Sequence, residues 1–219
     1  MSHRCISRMA ACAALCILTQ AAGANITIYN NFGPDHNGWD YNYGTGWTIA
    51  GEENATQYGV EQAFLFTATA SGPLSDIWLP IWKVPSDPGY DEVVVKLTTN
   101  PNNAPPTDAD VLEQWVLTEF PGWSSWAEPH HLVGSGSSYL EEGQSYWIWT
   151  AVTPNAPLTW CGWCLNIEPS FTAPHTLRRE GQSWLGISNE TASAFRVDIV
   201  PEPATGFLAL LLAGLIRRR

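Results

Sequence analysis

This chain is short of charge, and shorter still of positive charge. Charged residues make up 14% of its 219 positions, and 21 acids face only 10 lysines and arginines. Five of those ten lie at the two ends: Arg4 and Arg8 near the start, and Arg217, Arg218 and Arg219 at the close. Between them stand Lys83, Lys96, Arg178, Arg179 and Arg196 against all the acids, a balance of −16. Such a stretch has nothing to replace phosphate counterions and nothing to hold an anionic lipid surface. That excludes nucleic acid and electrostatic membrane docking. Long apolar runs are missing too. The two that exist, residues 9–18 and 204–216, are both shorter than the roughly 20 residues of a membrane-spanning helix. There is no heptad pattern, no collagen repeat and no long helical period. No Gly-x-Ser-x-Gly elbow, phosphate loop or dinucleotide fingerprint is present. What the chain does have is 45% hydrophobic residues in the length of about one domain, enough for a packed core.

The two ends read as addresses. Arg4 and Arg8 precede the apolar run, and Ala22-Gly23-Ala24 supplies small residues after it. A basic start, a short apolar core and an A-x-A site make a secretory signal peptide over residues 1–24, the competing reading being a buried N-terminal helix. Cleavage after Ala24 removes Cys5, Cys12 and Cys16 and leaves two cysteines. At the other end, Val200-Pro201-Glu202-Pro203 is followed by the second apolar run and the three arginines. As a helix that run spans about 20 Å, short against roughly 30 Å of bilayer hydrocarbon. Arginines at its end belong on the cytoplasmic side, and the prolines stop any strand or helix from running into it.

The middle, residues 25–199, reads as all-β. Short β-rich runs alternate with Gly, Pro, Asn, Asp and Ser loops. Strands are expected over 26–29, 47–50, 63–68, 74–81, 93–98, 111–118, 131–133, 146–152, 158–165, 183–187 and 195–200. Eleven short strands suggest a two-sheet antiparallel sandwich or jelly roll, flanked by the N-terminal signal helix and a short C-terminal hydrophobic helix. Residues 100–110 read as a loop within this domain.

Pro201, Glu202 and Pro203, the short apolar span and the cluster Arg217, Arg218 and Arg219 resemble a PEP-CTERM sorting tail over residues 200–219. The resemblance implies an exported protein of a Gram-negative bacterium. It implies an exosortase that recognises and removes the tail, and transient passage through the inner membrane. The middle is similar to the choice-of-anchor domains that accompany such tails, most like the R-type group. Asn31-Phe32-Gly33-Pro34-Asp35, Gly46-Trp47-Thr48-Ile49, the turn ending in Leu112-Glu113, Leu140 through Trp147, and Ala194-Phe195-Arg196-Val197 carry that likeness in order. It implies a β-sandwich and no particular reaction.

Tryptophan is the compositional oddity. All 12 lie in the middle region, often close together: Trp78 and Trp82, Trp123 and Trp126, Trp147 and Trp149, Trp160 and Trp163. Trp147 and Trp149, two apart on a strand, share one face and are expected in the sandwich core. Trp123 and Trp126 stand in Pro121-Gly122-Trp123-Ser124-Ser125-Trp126, which reads as a loop. They are the expected exposed pair and the candidate glycan-binding residues, because aromatic rings stack on the C–H faces of sugars.

Cys161-Gly162-Trp163-Cys164 has C-x-x-C spacing. On a regular strand the two Cα atoms stand about 10 Å apart, beyond the roughly 7 Å that a disulfide tolerates. A bridge therefore needs a turn or bulge at Gly162. Export favours oxidation, so a structural disulfide is the expectation, with buried thiols and a catalytic redox pair as alternatives. Zinc would need two further ligands, and His175 is the one histidine nearby in sequence. Asp87 and Asp91 flank Pro88-Gly89-Tyr90, and Asp108 and Asp110 close an Asn/Pro-rich loop. Such loops can hold Ca²⁺ at a sandwich edge, the competing reading being solvated turns.

These features point to an exported structural or adhesive protein of the cell envelope or extracellular matrix, without catalysis and without an obligatory cofactor. Signal peptidase, exosortase and extracellular polysaccharide are its expected partners. A carbohydrate-binding module is the alternative, and a carboxylate hydrolase or a thiol oxidoreductase follows. In place, it is expected outside the inner membrane after tail processing, or else anchored there facing the periplasm.

Overall fold

The computed structural model describes residues 24–54, 58–84, 91–168, 172–179, 181–188 and 190–201. The expected signal helix and C-terminal helix lie outside those residues, as do Asp87, Glu202, Pro203, Arg217, Arg218 and Arg219.

Fourteen strands are described: β1 (Ile26–Asn30), β2 (Asn42–Ala50), β3 (Val60–Thr67), β4 (Gly72–Leu79), β5 (Ile81–Lys83), β6 (Val93–Thr99), β7 (Val111–Leu117), β8 (His130–Val133), β9 (Tyr139–Leu140), β10 (Ser145–Val152), β11 (Trp160–Leu165), β12 (His175–Arg179), β13 (Leu185–Ile187) and β14 (Arg196–Ile199). The smaller sheet runs β1-β14-β4-β8, with β9 added to β4. The larger runs β5-β11-β2-β3-β10-β6-β7, with β12 on β3 and β13 on β12. All these strand pairs are antiparallel. The expected single strand over 74–81 is two. Pro80 has no N–H for a ladder, and the chain changes sheets there, β4 belonging to one and β5 to the other.

Alternation sets the faces. In the smaller sheet Ile77, Leu79, Val197 and Ile199 point inward, while Asp76, Trp78, Arg196 and Asp198 take the outer face. They meet Phe64, Phe66, Val95, Leu97, Ile148 and Trp163 of the larger sheet to form the main core. Trp163 fixes the centre: its ring lies edge-on to Phe64, and its indole N–H donates to Ala194 O at 2.9 Å.

Trp147 and Trp149 are buried, but not between the sheets. Tyr146 and Ile148 occupy the inner face of β10. The two tryptophans stand on its outer face, in a second apolar layer with Ala63 and Ala151. Residues 100–110 form the lid. Trp147 donates to Asn100 Oδ1 and Ala104 O, and Trp184, packed edge-on to Trp149, donates to Pro106 O. A strand buried on both faces reads as a continuous apolar run rather than an alternation, and Tyr146-Trp147-Ile148-Trp149 is such a run.

The sandwich is laced shut along β7 and β8. Trp115 Nε1–H donates to Val133 O at 2.9 Å, and Ser135 donates through its backbone N–H and its hydroxyl to the Glu113 carboxylate. Strands β1 and β14 pair from Ile26↔Ile199 to Asn30↔Arg196. Asn25 and Val200 therefore sit at one end of the smaller sheet. The chain leaves the other end through Asn31 and Phe195, which the Asn31 side chain ties together at 2.7 Å.

Candidate functional site

That second end carries an aromatic cluster. Its loop, between β7 and β8, turns at Ser124, which has a left-handed φ of 63°. A non-glycine residue holds that conformation only where its surroundings fix it, and here they do. Ser125 Oγ donates to Gly122 O at 2.8 Å, and Trp123 N–H donates to Lys83 O at 3.2 Å. The Tyr41 hydroxyl donates to Ala127 O at 2.8 Å and accepts from Ala127 N–H at 3.1 Å.

Trp123 and Trp126 are exposed, 46% and 39% of each residue being open to solvent. Each ring is backed on one side. Trp123 lies parallel to Trp82 with centroids 5.3 Å apart, and Trp126 lies on His36 at 4.8 Å. Both indole N–H groups are already used, Trp123 donating to Gly44 O at 3.2 Å and Trp126 to Trp39 O at 3.4 Å. The outward surface is thus ring carbon, held in a fixed orientation. Trp39 continues the cluster onto the sheet. It packs on Trp78 at 4.7 Å, and Trp78 stacks on His131 at 3.8 Å, its direct cross-strand neighbour. The Arg196 guanidinium lies 5.2 Å over the Trp39 ring.

The same outer face brings two carboxylates opposite each other, Asp76 on β4 and Asp198 on β14. Both are committed to neighbours. Asp198 accepts from Thr27 at 2.7 Å and from Arg196 through both its oxygens, at 2.8 Å each. Asp76 accepts from Asn25 and Ser75 and pairs with His131. This arrangement serves to pin β1, β14, β4 and β8 together.

The bridge expected between Cys161 and Cys164 is not formed. β11 is regular through the motif, Cys161, Gly162, Trp163 and Cys164 facing Ile49, Thr48, Trp47 and Gly46 in unbroken register. Residues three apart then fall on opposite faces. Cys161 enters the main core, and Cys164 packs with Tyr41, Trp82, Val84 and Ala194. Gly162 makes no bulge. It is glycine because Trp82 lies over it, and a Cβ there would come within 2.6 Å of the indole ring. Burial also pushes the Cys164 thiol well above its ordinary range, away from the thiolate that redox chemistry requires.

Of the aspartates expected for Ca²⁺, Asp87 lies outside the described residues, and Asp91 stands apart from Asp108 and Asp110. Asp91 precedes β6, where Val93 faces Leu117, and pairs with Lys83 at 3.5 Å. Asp108 and Asp110 lie at the other end of the β6–β7 ladder, before Val111↔Thr98. There Asp108 binds Lys96 at 2.5 Å and Asp110 accepts from Thr107 at 2.6 Å. Among the described residues no group of three His, Cys, Asp or Glu is arranged to hold a metal ion. His175 is buried against Phe64 and Trp47, its Nε2 2.7 Å from Gln62 Oε1. Desolvation lowers its pKa from 6.5 to about 3.

The spacing of Trp123 and Trp126 flags the site, but not the residues that complete it. His36, Trp39 and Trp82 come from 40 or more positions away, and only the fold brings them in. No family model matches this chain, and no curated protein matches it.

Proposed function

We propose that this is an exported, exosortase-sorted protein of the cell envelope or extracellular matrix of a Gram-negative bacterium, with a structural or adhesive role and no catalysis. One observation supports it beyond the address sequences. Ile26 and Ile199 are paired, so the residue that follows the signal peptide and the residue that precedes the tail leave the same end of one sheet. Trp39, Trp123 and Trp126 belong to the opposite end. A domain tethered by its tail then holds its aromatic end away from the tether. Replacing Pro201 and Pro203 by alanine tests the sorting. The double variant is expected to stay in the membrane fraction with its arginines attached. A distribution identical to the unaltered protein's would contradict it.

A second reading, carbohydrate binding, is favoured by the geometry of Trp123 and Trp126. Each offers one open ring face and backs the other on an aromatic neighbour. It is compatible with adhesion and names how the adhesion is made.

A further inference from the structure

The charges around the aromatic end narrow what can lie there. We propose that Trp123 and Trp126 form a two-ring platform for an uncharged polysaccharide, engaged along several sugar units. This rests on the carbohydrate-binding reading and adds the ligand's charge and form.

Stacking comes first. With both indole N–H groups spent on backbone carbonyls, the rings recognise a ligand through their carbon faces. That suits the C–H face of a pyranose and gives an ion no anchor. The rings are three residues apart in the loop, a reach of at most ~11 Å. Each ring is backed separately, Trp123 on Trp82 and Trp126 on His36, so each offers its own face to a sugar unit and a chain of units can engage both. Tyr43, also exposed, is next in the chain to the Gly44 that holds Trp123.

Charge comes second. Of the five basic residues between the chain ends, four are ion-paired: Lys83 with Asp91, Lys96 with Asp108, Arg178 with Glu61, and Arg196 with Asp198. The fifth, Arg179, lies over the Tyr58 ring. The two that stand near the platform, Lys83 next to Trp82 and Arg196 over Trp39, are each neutralised by a carboxylate partner. Near Trp126 the exposed charges are Asp35 and Glu128, with His36 held by Asp40 at 3.3 Å. Carboxylates accept hydrogen bonds from sugar hydroxyls and repel an anionic chain.

Affinity electrophoresis of the protein recovered from its host tests this, in gels holding a neutral glucan, a neutral mannan or alginate. A peptide with the sequence Val-Pro-Glu-Pro serves as competitor, since aromatic surfaces also take proline-rich segments. Retardation by a neutral polymer is expected. It should survive high salt, and Trp123→Ala with Trp126→Ala should weaken it about tenfold or more while lowering the unfolding temperature by no more than several degrees. Retardation by alginate alone, abolished in the double variant, would overturn the uncharged ligand and leave the carbohydrate reading standing. No retardation by any polymer, or retardation that the double variant retains, would overturn both, and binding of the peptide with no retardation by any polymer would assign the platform to a proline-rich segment instead.

Discussion

Two groups of tryptophans stand on outer surfaces of this sandwich, and they have opposite fates. Trp147 and Trp149 project from the outer face of β10, and Trp123 and Trp126 from the loop between β7 and β8. All four have their indole N–H bonded. The difference lies in the ring faces. Residues 100–110 and Trp184 close over the first pair, and Lys96 Nζ sits 3.8 Å over the Trp149 ring, leaving Trp149 only 2% exposed. Nothing among the described residues closes over the outer faces of the second pair. A satisfied N–H fixes a ring in place in either setting. Only the cover over its face separates a packing residue from one available to a ligand.

The comparison can be broken by mutation, and the largest effect should come from the covered pair. Trp149→Ala removes a ring buried under a lid and is expected to cost about 3–5 kcal/mol of stability, read by urea unfolding. An effect under about 1 kcal/mol would mean that the lid is open in solution.

The pH dependence comes next, through His175. Its folded pKa lies below its unfolded one, so the native ring stays neutral where the unfolded chain takes up a proton. Stability is complete above pH 6.5 and falls as pH drops toward 3, at about 1.4 kcal/mol per pH unit from this group alone. His175→Leu should flatten the slope between pH 6 and 4, whatever it does to stability at neutral pH. An unchanged slope would show that the ring is protonated in the fold.

Smaller effects sharpen the contrast. Lys96→Met strips the cation from the covered ring and its exposed partner Asp108, and should cost about 1 kcal/mol or less. Trp123→Ala and Trp126→Ala should each cost under about 1 kcal/mol while impairing polysaccharide binding. Thiol labelling should show no effect in the folded protein. Alkylation without reductant should leave Cys161 and Cys164 untouched until the chain is denatured, and then mark both. Denatured chains that take up no label would reveal a bridge that the β11 register does not allow.

How much of this was legible in the sequence varies from element to element. Strands such as 93–98 and 146–152 stand out because β-branched and aromatic residues run together there, and they are found nearly as expected. β12 was missed. His-Thr-Leu-Arg-Arg has one aliphatic residue, and it is a strand because β3 offers it a ladder in which Arg178 meets Glu61. The first half of β2 was missed because Asn42, Gly44 and Gly46 look like a turn. Gly46 is small because a Cβ would come within 2.7 Å of the Trp163 carbonyl. The loop pair Trp123 and Trp126 was readable from Pro121-Gly122 and the serines. Its backing by Trp82 and His36 was not, since neither stack follows from local spacing. The C-x-x-C motif misled in the other direction. An exported compartment would favour a bridge, but strand geometry decides, and it sends the two thiols to opposite faces.

The most direct test of the whole account is the intact mass of the protein recovered, compartment by compartment, from its own host. The account predicts a chain outside the inner membrane that begins at Asn25 and ends near Pro203, leaving the sandwich with its aromatic end and none of the terminal arginines. A full-length chain retained in the cytoplasm, with residues 1–24 and Arg217, Arg218 and Arg219 in place, would contradict it.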